Sequence, residues 1–350
     1  MKTHHIQGKW GSSFIHVGEH LANLGAYLPD QPLVIITDEN IKSLYGHAFP
    51  QGSVITIGTG EKNKTLATVE YILTRLVALG CDRSTFILGI GGGIVCDITG
   101  FVASIFLRGV AFGFVSTSLL SQVDASLGGK NGVNLSAYKN MVGVFNQPVF
   151  VICDLDMLKT LPKAEISNGL AEIVKHALIA DADMLSFIEK NQQKALDLDP
   201  RVISHLVSNS VDIKSRVVQQ DEHETGERRK LNFGHTIGHA IEKIDPCGHG
   251  RAVSRGMAAA AVFSREKGLL SPHELDRIFS LLQGLGLPTN LDYDAGRILA
   301  AAGRDKKKHG LFVYYVFLEA IGCARVEKIS YDALNTFIRS VFRTAFSPPA

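Results

Sequence analysis

Residues 84–100 have the sequence STFILGIGGGIVCDITG, and this stretch decides the fold class. Residues 84–89 are short, rich in apolar side chains and bounded by turn formers, which predicts a buried strand. The run Gly91-Gly92-Gly93 follows, and a helical pattern then extends to about Leu107. A strand, a glycine turn and a helix in this order present backbone N–H groups to a phosphate. The stretch does not fit G-x-G-x-x-G, because Ile94 stands at the last required position, and such a turn can also be purely steric.

Strands and helices alternate on both sides of this stretch. Further strands are predicted over residues 32–37, 53–58, 111–116 and 149–153, with a helix over 65–79. Such alternation is typical of a mostly parallel sheet covered by helices. Helical periodicity dominates later, over residues 163–180, 182–194, 199–220, 235–243, 253–267 and 273–282. A strand pair at 311–318 and 323–329 and a last helix complete the pattern.

These patterns predict an α/β fold in two domains. Residues 1–160 would form a Rossmann-like domain with a parallel sheet, and residues 161–350 a mostly α-helical domain. The length of 350 residues also suggests about two domains.

Composition and charge exclude several classes of function. The chain is 45% hydrophobic and 20% charged with a formal net charge of +2, so no global field recruits nucleic acid or an acidic membrane surface. The five cysteines include no Cys-x-x-Cys pair, which favours a reducing compartment. The N-terminal residues lack the apolar core of a signal peptide, and no apolar run approaches the roughly 18–20 residues that span a bilayer. We therefore expect a soluble cytoplasmic protein without nucleic-acid or membrane partners.

Polar residues near the glycine run favour an anion site. Asp38 follows a predicted strand, where an acidic residue can bond a ribose hydroxyl, and Glu61 and Lys64 precede a helix. Residues 116–140 are dense in polar side chains, and Gly128-Gly129-Lys130 brings backbone and ammonium close to one point. A solvated loop would be equally polar, so both interpretations stand.

Three histidines and a carboxylate indicate a metal site. His235 and His239 lie at i and i+4 on one helix face, His249 follows, and Glu172 and Lys175 lie one helical turn apart upstream. Nitrogen and oxygen ligands without cysteine suit zinc or a similar divalent ion with positions open for substrate. Spacing alone favours His235 and His239 as the histidine ligands, and the alternative is that all three are ordinary core or surface residues.

Six blocks of the sequence resemble, in order, the signature blocks of the 3-dehydroquinate synthase family of sugar phosphate cyclases. They are GGGIVCDITGFVASIFLRG, TSLLSQVDASLGGKNGVN, YKNMVGVFNQP, GLAEIVKHALI, KLNFGHTIGHAIE and DKKKHG. The glycine–aspartate motif also occurs in iron-type alcohol dehydrogenases, whereas SQVDASLGGK does not. The resemblance covers nearly the whole chain and implies a homodimer with the dehydroquinate synthase-like fold. Its first domain would bind NAD, and its helical domain would bind metal and substrate.

Residue by residue, the resemblance implies three kinds of site. The Zn²⁺ or Co²⁺ ligands would be Glu172, His235 and His249. The NAD contacts would be Asp38, Asn40, Glu61, Lys64, Gly91, Gly92, Gly93, Asp97, Thr117 and Ser118, with Lys130 and Lys139. Substrate phosphate would meet Lys130, Asn140, Arg228, Asn232 and His239, and substrate carboxylate would meet Lys214 and Lys306. The remaining pocket residues would be Asp124, Lys139, Lys175 and Glu224, with Arg108 reaching a neighbouring subunit's site.

The resemblance also implies the reaction. The family converts 3-deoxy-D-arabino-heptulosonate 7-phosphate, an anionic sugar acid phosphate, to 3-dehydroquinate and phosphate in the shikimate pathway, and NAD is recycled without net oxidation. The alternatives are another sugar phosphate cyclase, a metal-dependent polyol dehydrogenase and a non-catalytic NAD-binding protein. Lys214 and Lys306 favour the carboxylated substrate. The chain departs from the family pattern at Ser116, Ser118, Cys96, Ala164 and Arg251, and none of these departures removes a matched metal ligand.

Overall fold

The structure is a computed structural model that describes residues 1–8, 11–136, 138–303 and 312–342. It divides into two compact units: Met1–Ile166 with Ile203–His223, and Ser167–Val202 with Glu224–Ala350. A single boundary after residue 160 would place residues 203–223 in the second unit instead. No change of composition marks this segment, because it lies within one continuous helix, Pro200–Gln220. The binding role that the sequence assigns to each domain stays a prediction.

Within its described residues, the first unit contains nine strands and three α-helices that belong wholly to it. The strands are β1 (Lys2–Gln7), β2 (Ser12–Val17), β3 (Leu33–Asp38), β4 (Ser53–Ile57), β5 (Phe86–Gly91), β6 (Phe112–Ser116), β7 (Lys130–Leu135), β8 (Tyr138–Phe145) and β9 (Phe150–Cys153). The helices are α1 (Glu39–Tyr45), α2 (Leu66–Ala78) and α3 (Gly93–Ile105).

Seven of these strands form one sheet in the order β1-β2-β9-β6-β5-β3-β4. Among the strand pairs described in this sheet, β1–β2 is antiparallel and the others are parallel, so the predicted fold class is confirmed. The chain proceeds from β3 to β4 towards one edge and from β5 through β6 to β9 towards the other. Its direction therefore reverses between β3 and β5, and open α/β sheets bind ligands at the carboxyl ends of the strands at such a switch point.

Strand β5 lies at the centre of the hydrophobic core of the first unit. All six of its residues are buried, as expected for a parallel strand with both faces covered. The strand extends two residues beyond its predicted end at Gly89, because this glycine is used for packing and not for a turn. A Cβ at Gly89 would lie 2.9 Å from Thr99 Oγ1 on α3, so its absence lets the helix lie close to the sheet.

Sequence patterns missed two hairpins in this unit. One is β1–β2 at the edge of the sheet, and the other is β7–β8, which forms a separate two-stranded sheet. The second hairpin falls in the stretch interpreted as a polar segment. Strand β8 has residues of both parities exposed, so it lacks the in–out alternation that identifies a half-buried strand.

The second unit is mostly helical, and two of its helices also extend into the first unit. The helices are α4 (Lys163–Ala180), α5 (Ala182–Lys190), α6 (Gln192–Leu196), α7 (Pro200–Gln220), α8 (His235–Ile244), α9 (His249–Glu266), α10 (Pro272–Gly284), α11 (Ala295–Gly303) and α12 (Tyr331–Val341). A ribbon is formed by β10 (Phe312–Ala320) and β11 (Cys323–Ser330). Helix α4 agrees with its prediction, the helix predicted over 182–194 is split at Asn191, and α11 was not predicted. In the described residues no helix is both long and apolar enough to cross a bilayer.

Helices α8 and α9 approach each other closely because glycines line their contact. A Cβ at Gly256 would lie 1.9 Å from the carbonyl oxygen of Gly234, and one at Gly238 would lie 3.1 Å from that of Ala252. Gly234 itself has φ +78°, a left-handed conformation that favours glycine, and it is the N-cap of α8. The backbone of one helix therefore lies directly against that of the other, from the start of α8 to the first half of α9.

We expect Gly256→Ala to lower the free energy of unfolding by about 1–3 kcal/mol, because its methyl group would meet backbone that cannot rotate away. This loss would outweigh the roughly 1 kcal/mol by which alanine favours a helix over glycine. The matched control is Gly25→Ala, whose added Cβ has no atom within 4 Å. Urea unfolding followed by circular dichroism measures both, and equal midpoints for the two variants would contradict the prediction.

Candidate metal centre and nucleotide-phosphate site

Glu172, His235 and His249 bring three potential metal ligands together in the second unit. Oε1 of Glu172 lies 3.7 Å from Nε2 of His235 and 3.3 Å from Nε2 of His249. In a tetrahedral zinc site with bonds of about 2.0–2.1 Å, neighbouring ligand atoms are separated by about 3.3–3.4 Å. The carboxylate oxygen and the two imidazole nitrogens therefore have the spacing and the chemical character that suit a divalent ion such as zinc.

The local sequence explains why these side chains meet. Gly248, with φ +89°, turns the chain into α9, so His249 occupies the first turn of that helix. The N–H of Gly250 donates to Oδ1 of Asn168 at 3.1 Å, and a Cβ at Gly250 would lie 2.4 Å from Cα of Asn168. This turn of α9 is thus held against α4, the helix that carries Glu172.

Glu172 is fully buried, and its charge is compensated by neighbours. Lys175, also buried, forms an ion pair with its Oε2 one helical turn away. Burial raises the pKa of Glu172, but the Lys175 ammonium and the two histidines outweigh burial and hold the pKa well below its usual value. The carboxylate therefore remains ionised, as a metal ligand must be.

The two histidines differ in charge. Burial, reinforced by the Lys175 ammonium, lowers the pKa of His235 to about 3, so its ring is neutral at pH 7. Burial also lowers the pKa of His249, but the neighbouring carboxylates of Glu172 and Glu242 oppose this shift and raise the pKa to about 10. His249 would therefore release a proton when a metal ion binds, which makes affinity dependent on pH.

His239 lies apart from this group of three. It is exposed, and its ring centroid lies 5.1 Å from that of His235 and 6.3 Å from that of His249. Its nearest potential ligand group is Glu242 with His249, not Glu172. The pair that spacing alone favoured is thus not the pair that faces Glu172.

Two groups that the sequence patterns did not assign lie next to the outer nitrogens of the histidine rings. The carbonyl oxygen of Phe233 lies 3.1 Å from Nδ1 of His235, and Oε1 of Glu242 lies 3.8 Å from Nδ1 of His249. The carbonyl has no signal in sequence. Glu242 has one, because it lies seven residues after His235 and therefore on the same helix face.

We expect Lys175→Met to destabilise the metal-free protein by about 3–5 kcal/mol, because it leaves the buried Glu172 carboxylate uncompensated. Zinc should restore much of this loss, so the zinc-induced increase in Tm should be larger for the variant than for the unchanged chain. Thermal unfolding with and without zinc measures this difference, and Lys190→Met, an exposed lysine on α5, is the control. Equal Tm values for both metal-free variants would show that Lys175 does not compensate Glu172.

In the first unit, the glycine run lies beside Asp38 at the switch point of the sheet. Asp38 ends β3 and Gly91 ends the neighbouring β5, with Thr37 paired to Ile90 in register. A Cβ at Gly91 would lie 2.5 Å from the Val95 side chain, and one at Gly93 would lie 2.8 Å from Cβ of Ala125. Glycine is sterically required at these two positions, and a glycine turn at the start of a helix can present backbone N–H groups to an anion such as a phosphate.

Lys64 links this region to the β7–β8 hairpin. It is buried, forms an ion pair with Asp97, and donates a 2.5 Å hydrogen bond to Oδ1 of Asn140. Burial raises the pKa of Asp97 to about 6 although Lys64 opposes the shift. Asn140 has φ +50°, and its N–H donates to Oδ1 of Asn134, whose Nδ2 donates to Glu61 at 2.8 Å. One network thus joins four residues predicted to bind cofactor or substrate.

A surface pocket of about 270 Å³ opens beside this network. It is lined by Glu61, Lys62, Thr65, Asn134, Ser136, Tyr138 and Lys139. The lining includes two of the residues predicted for the NAD site, Glu61 and Lys139.

Lys214 is buried, although the sequence alone was equally compatible with a solvent-exposed surface lysine. Its ammonium donates to Oδ1 of Asp124 at 2.5 Å and to the Asp124 carbonyl oxygen at 2.6 Å. Asp124 lies in a single π-helical turn, Ser121–Ala125, a feature that is frequent at functional sites. These two hydrogen bonds to Asp124 give the buried ammonium of Lys214 a defined position.

The other predicted residues take varied environments. Arg228 is the largest fully buried side chain, Nδ2 of Asn232 donates to Glu224, and Ser118 and Ser121 are hydrogen-bonded through their hydroxyls. Asn40, Lys130 and Lys139 are exposed, Thr117 is buried, and exposed Arg108 has φ +69°. Lys306 lies outside the described residues.

Comparison with known proteins identifies the family. Residues 54–168 match the family model described as 3-dehydroquinate synthase N-terminal, and residues 169–308 match the one described as 3-dehydroquinate synthase C-terminal. The 3-dehydroquinate synthase of Alkaliphilus metalliredigens (strain QYMF) is 36% identical over 339 residues, which cover 93% of this chain and 95% of the relative.

The chain belongs to the 3-dehydroquinate synthase family.

Solved structures of other sugar phosphate cyclases share the fold of this family member. A 2-deoxy-scyllo-inosose synthase complexed with carbaglucose-6-phosphate, NAD⁺ and Co²⁺ is 27% identical, with a TM-score of 0.86 and coverage of 97% of this chain and 100% of that one. The 2-epi-5-epi-valiolone synthase ValA from Streptomyces hygroscopicus subsp. jinggangensis 5008, with NAD⁺ and Zn²⁺ bound, is 25% identical, with a TM-score of 0.86 and coverage of 96% of each chain. The dehydroquinate synthase-like fold predicted from the sequence is thereby confirmed.

Proposed function

We propose that this chain converts 3-deoxy-D-arabino-heptulosonate 7-phosphate to 3-dehydroquinate and phosphate, as a carbon–oxygen lyase of the shikimate pathway. The observation that carries the proposal is the Glu172–His235–His249 group, whose donor atoms are spaced for a divalent ion. The chain that carries this group matches both the N-terminal and the C-terminal model of the family.

We propose NAD and Zn²⁺, or Co²⁺, as the cofactors. Two cyclases of the same fold have NAD⁺ together with Co²⁺ or Zn²⁺ bound, which supports this assignment. When bound, NAD would accept and return a hydride, and the metal would polarise substrate hydroxyls. The chain's own contribution is to bind and orient these groups and the substrate, so that much of the rate enhancement comes from positioning.

The proposed cofactor and metal contacts follow the family pattern. Glu172, His235 and His249 would hold the metal. The NAD contacts would be Asp38, Asn40, Glu61, Lys64, Gly91, Gly92, Gly93, Asp97, Thr117 and Ser118, with Lys130 and Lys139. The steric need for Gly91 and Gly93, and the place of Asp38 at the switch point, support this part of the proposal.

Cations and amides would bind the two anionic ends of the substrate. Lys130, Asn140, Arg228, Asn232 and His239 would bind the phosphate, and Lys214 and Lys306 the carboxylate. Asp124, Lys139, Lys175 and Glu224 would complete the pocket, and the burial of Lys175 and Lys214 supports a fixed position for each ammonium.

A cytoplasmic homodimer is the proposed form of the protein. Arg108 lies on a turn in which Leu107 (φ +48°) and Arg108 (φ +69°) both have left-handed backbone, and both side chains are exposed. Such strain at a surface arginine supports a role towards a neighbouring subunit's site. The five free cysteines support a reducing compartment.

The first experiment follows phosphate release from the heptulosonate phosphate with zinc and a trace of NAD. We expect many turnovers per NAD, with no growth of NADH absorbance in step with phosphate, because the hydride is returned in each cycle. Apo-protein treated with chelator is the control. One NADH formed per turnover would instead indicate a polyol dehydrogenase, and absence of phosphate release would exclude this substrate.

Lys214 distinguishes the proposed substrate from those of cyclases that act on sugars without a carboxylate. A desolvated ammonium paired with a carboxylate contributes about 1.5–3 kcal/mol, so Lys214→Met should lower kcat/KM roughly ten- to a hundredfold. Arg216→Met is the matched control, because its side chain lies on the same helix and is 60% exposed. Kinetics with the natural substrate, after folding and zinc content are checked, provide the measurement. Near-native values for both Lys214→Met and Lys306→Met would favour another cyclase.

A further inference from the structure

The proposed metal site requires each histidine to present an unprotonated Nε2 towards Glu172. A neutral imidazole carries its single proton on one nitrogen, and the partner of the other nitrogen decides which. His235 has such a partner in the Phe233 carbonyl oxygen, 3.1 Å from its Nδ1. A carbonyl can only accept, so it keeps the proton on Nδ1 and leaves the Nε2 lone pair for a metal.

His249 has no such carbonyl among its described contacts. It lies in the first turn of α9, directly after the Gly248 turn, and its Nδ1 lies 3.8 Å from Oε1 of Glu242. This is an ion-pair distance, longer than a hydrogen bond. An ionised carboxylate can only accept, so its position favours a proton on Nδ1 and turns Nε2 towards Glu172, 3.3 Å away.

Glu242 is held where it can do this. Its side chain is only 12% exposed, and it lies on α8 seven residues after His235. The close glycine contact between α8 and α9 fixes the distance between its backbone and that of His249. A mostly buried carboxylate costs free energy unless it makes polar interactions, and His249 provides one.

We propose that Glu242 is a positioning residue, which sets the tautomer and ring orientation of His249 for metal binding. The proposal rests on the metal site proposed above and adds a residue to it. It predicts that loss of the Glu242 carboxylate weakens metal binding, because mutation of the outer partners of ligating histidines typically lowers metal affinity about 10–100-fold. A competing interpretation is that Glu242 acts on His239, since one potential ligand atom from each of His239, Glu242 and His249 lies within 4.8 Å of the others.

The test compares zinc affinity, measured by competition with a chromogenic chelator, in the unchanged chain and four variants. Glu242→Ala should weaken affinity about 10–100-fold, and Glu242→Gln, which keeps an acceptor oxygen and the shape, should weaken it less. Glu266→Ala is the matched control, an exposed glutamate on the helix of His249 and about 25 Å along it. His235→Ala calibrates loss of a ligand.

Two further measurements separate positioning from general damage. Nitrogen-15 spectra of the zinc-bound protein should show His249 as the Nδ1–H tautomer in the unchanged chain and a changed signal in Glu242→Ala. The Co²⁺ absorption spectrum should also change in Glu242→Ala but not in Glu266→Ala. If Glu242→Ala does not fold in the metal-free state, the comparison rests on Glu242→Gln.

The outcomes distinguish this inference from the proposed function. Unchanged affinity and an unchanged His249 signal in Glu242→Gln and in any folded Glu242→Ala would overturn the role of Glu242 and leave the metal site intact. The same result accompanied by weaker phosphate binding would assign Glu242 to His239 instead. Failure of the unchanged chain to bind zinc, or full zinc occupancy of His235→Ala, would overturn the metal site itself.

Discussion

The buried charge of Glu172 is the constraint on which the second unit depends. A carboxylate with no solvent exposure is tolerated only where opposite charge lies next to it, because removing one ion from water costs several kcal/mol. Lys175 supplies that charge from one turn along the same helix, and the ring nitrogens of His235 and His249 approach from two other helices. Folding this unit therefore gathers a negatively charged oxygen and two imidazoles around one point, and a cation is the natural complement of that arrangement.

Close backbone approach through glycine places candidate site residues in both units. In the second unit, the absence of side chains at Gly234 and Gly256 lets α8 lie close to α9, the helices that carry His235 and His249. In the first unit, Gly89 and Gly91 let α3 lie close to β5, so that the start of this helix meets the carboxyl edge of the sheet beside Asp38. The two candidate sites differ in chemistry, but both depend on glycine at the points where the backbones come close together.

The sequence predicted the five parallel strands of the sheet other than β2 and most of the longer helices, because long periodic segments and glycine turns carry local signals. It did not predict the β7–β8 hairpin, since β8 lacks the alternation of a half-buried strand. The early start of α9 was missed because His249 and Gly250 have no apolar periodicity, and tertiary contact with Asn168 stabilises this turn instead. Burial of Lys214 could not be predicted either, because its partner Asp124 lies 90 residues away in the chain. The family resemblance supplied roles that spacing could not.

Helix periodicity determines the direction of a side chain but not its depth, and the histidines of α8 illustrate the difference. His235 and His239 share one face, and a ligand search by spacing alone selects both. His235 is the first residue of α8, and its side chain is mostly buried. His239 lies one turn further along and is exposed. Glu242, another turn along, is again mostly buried, because it meets His249. The same face of one helix thus carries a mostly buried imidazole beside Glu172, an exposed imidazole, and a mostly buried carboxylate beside His249 on the neighbouring helix.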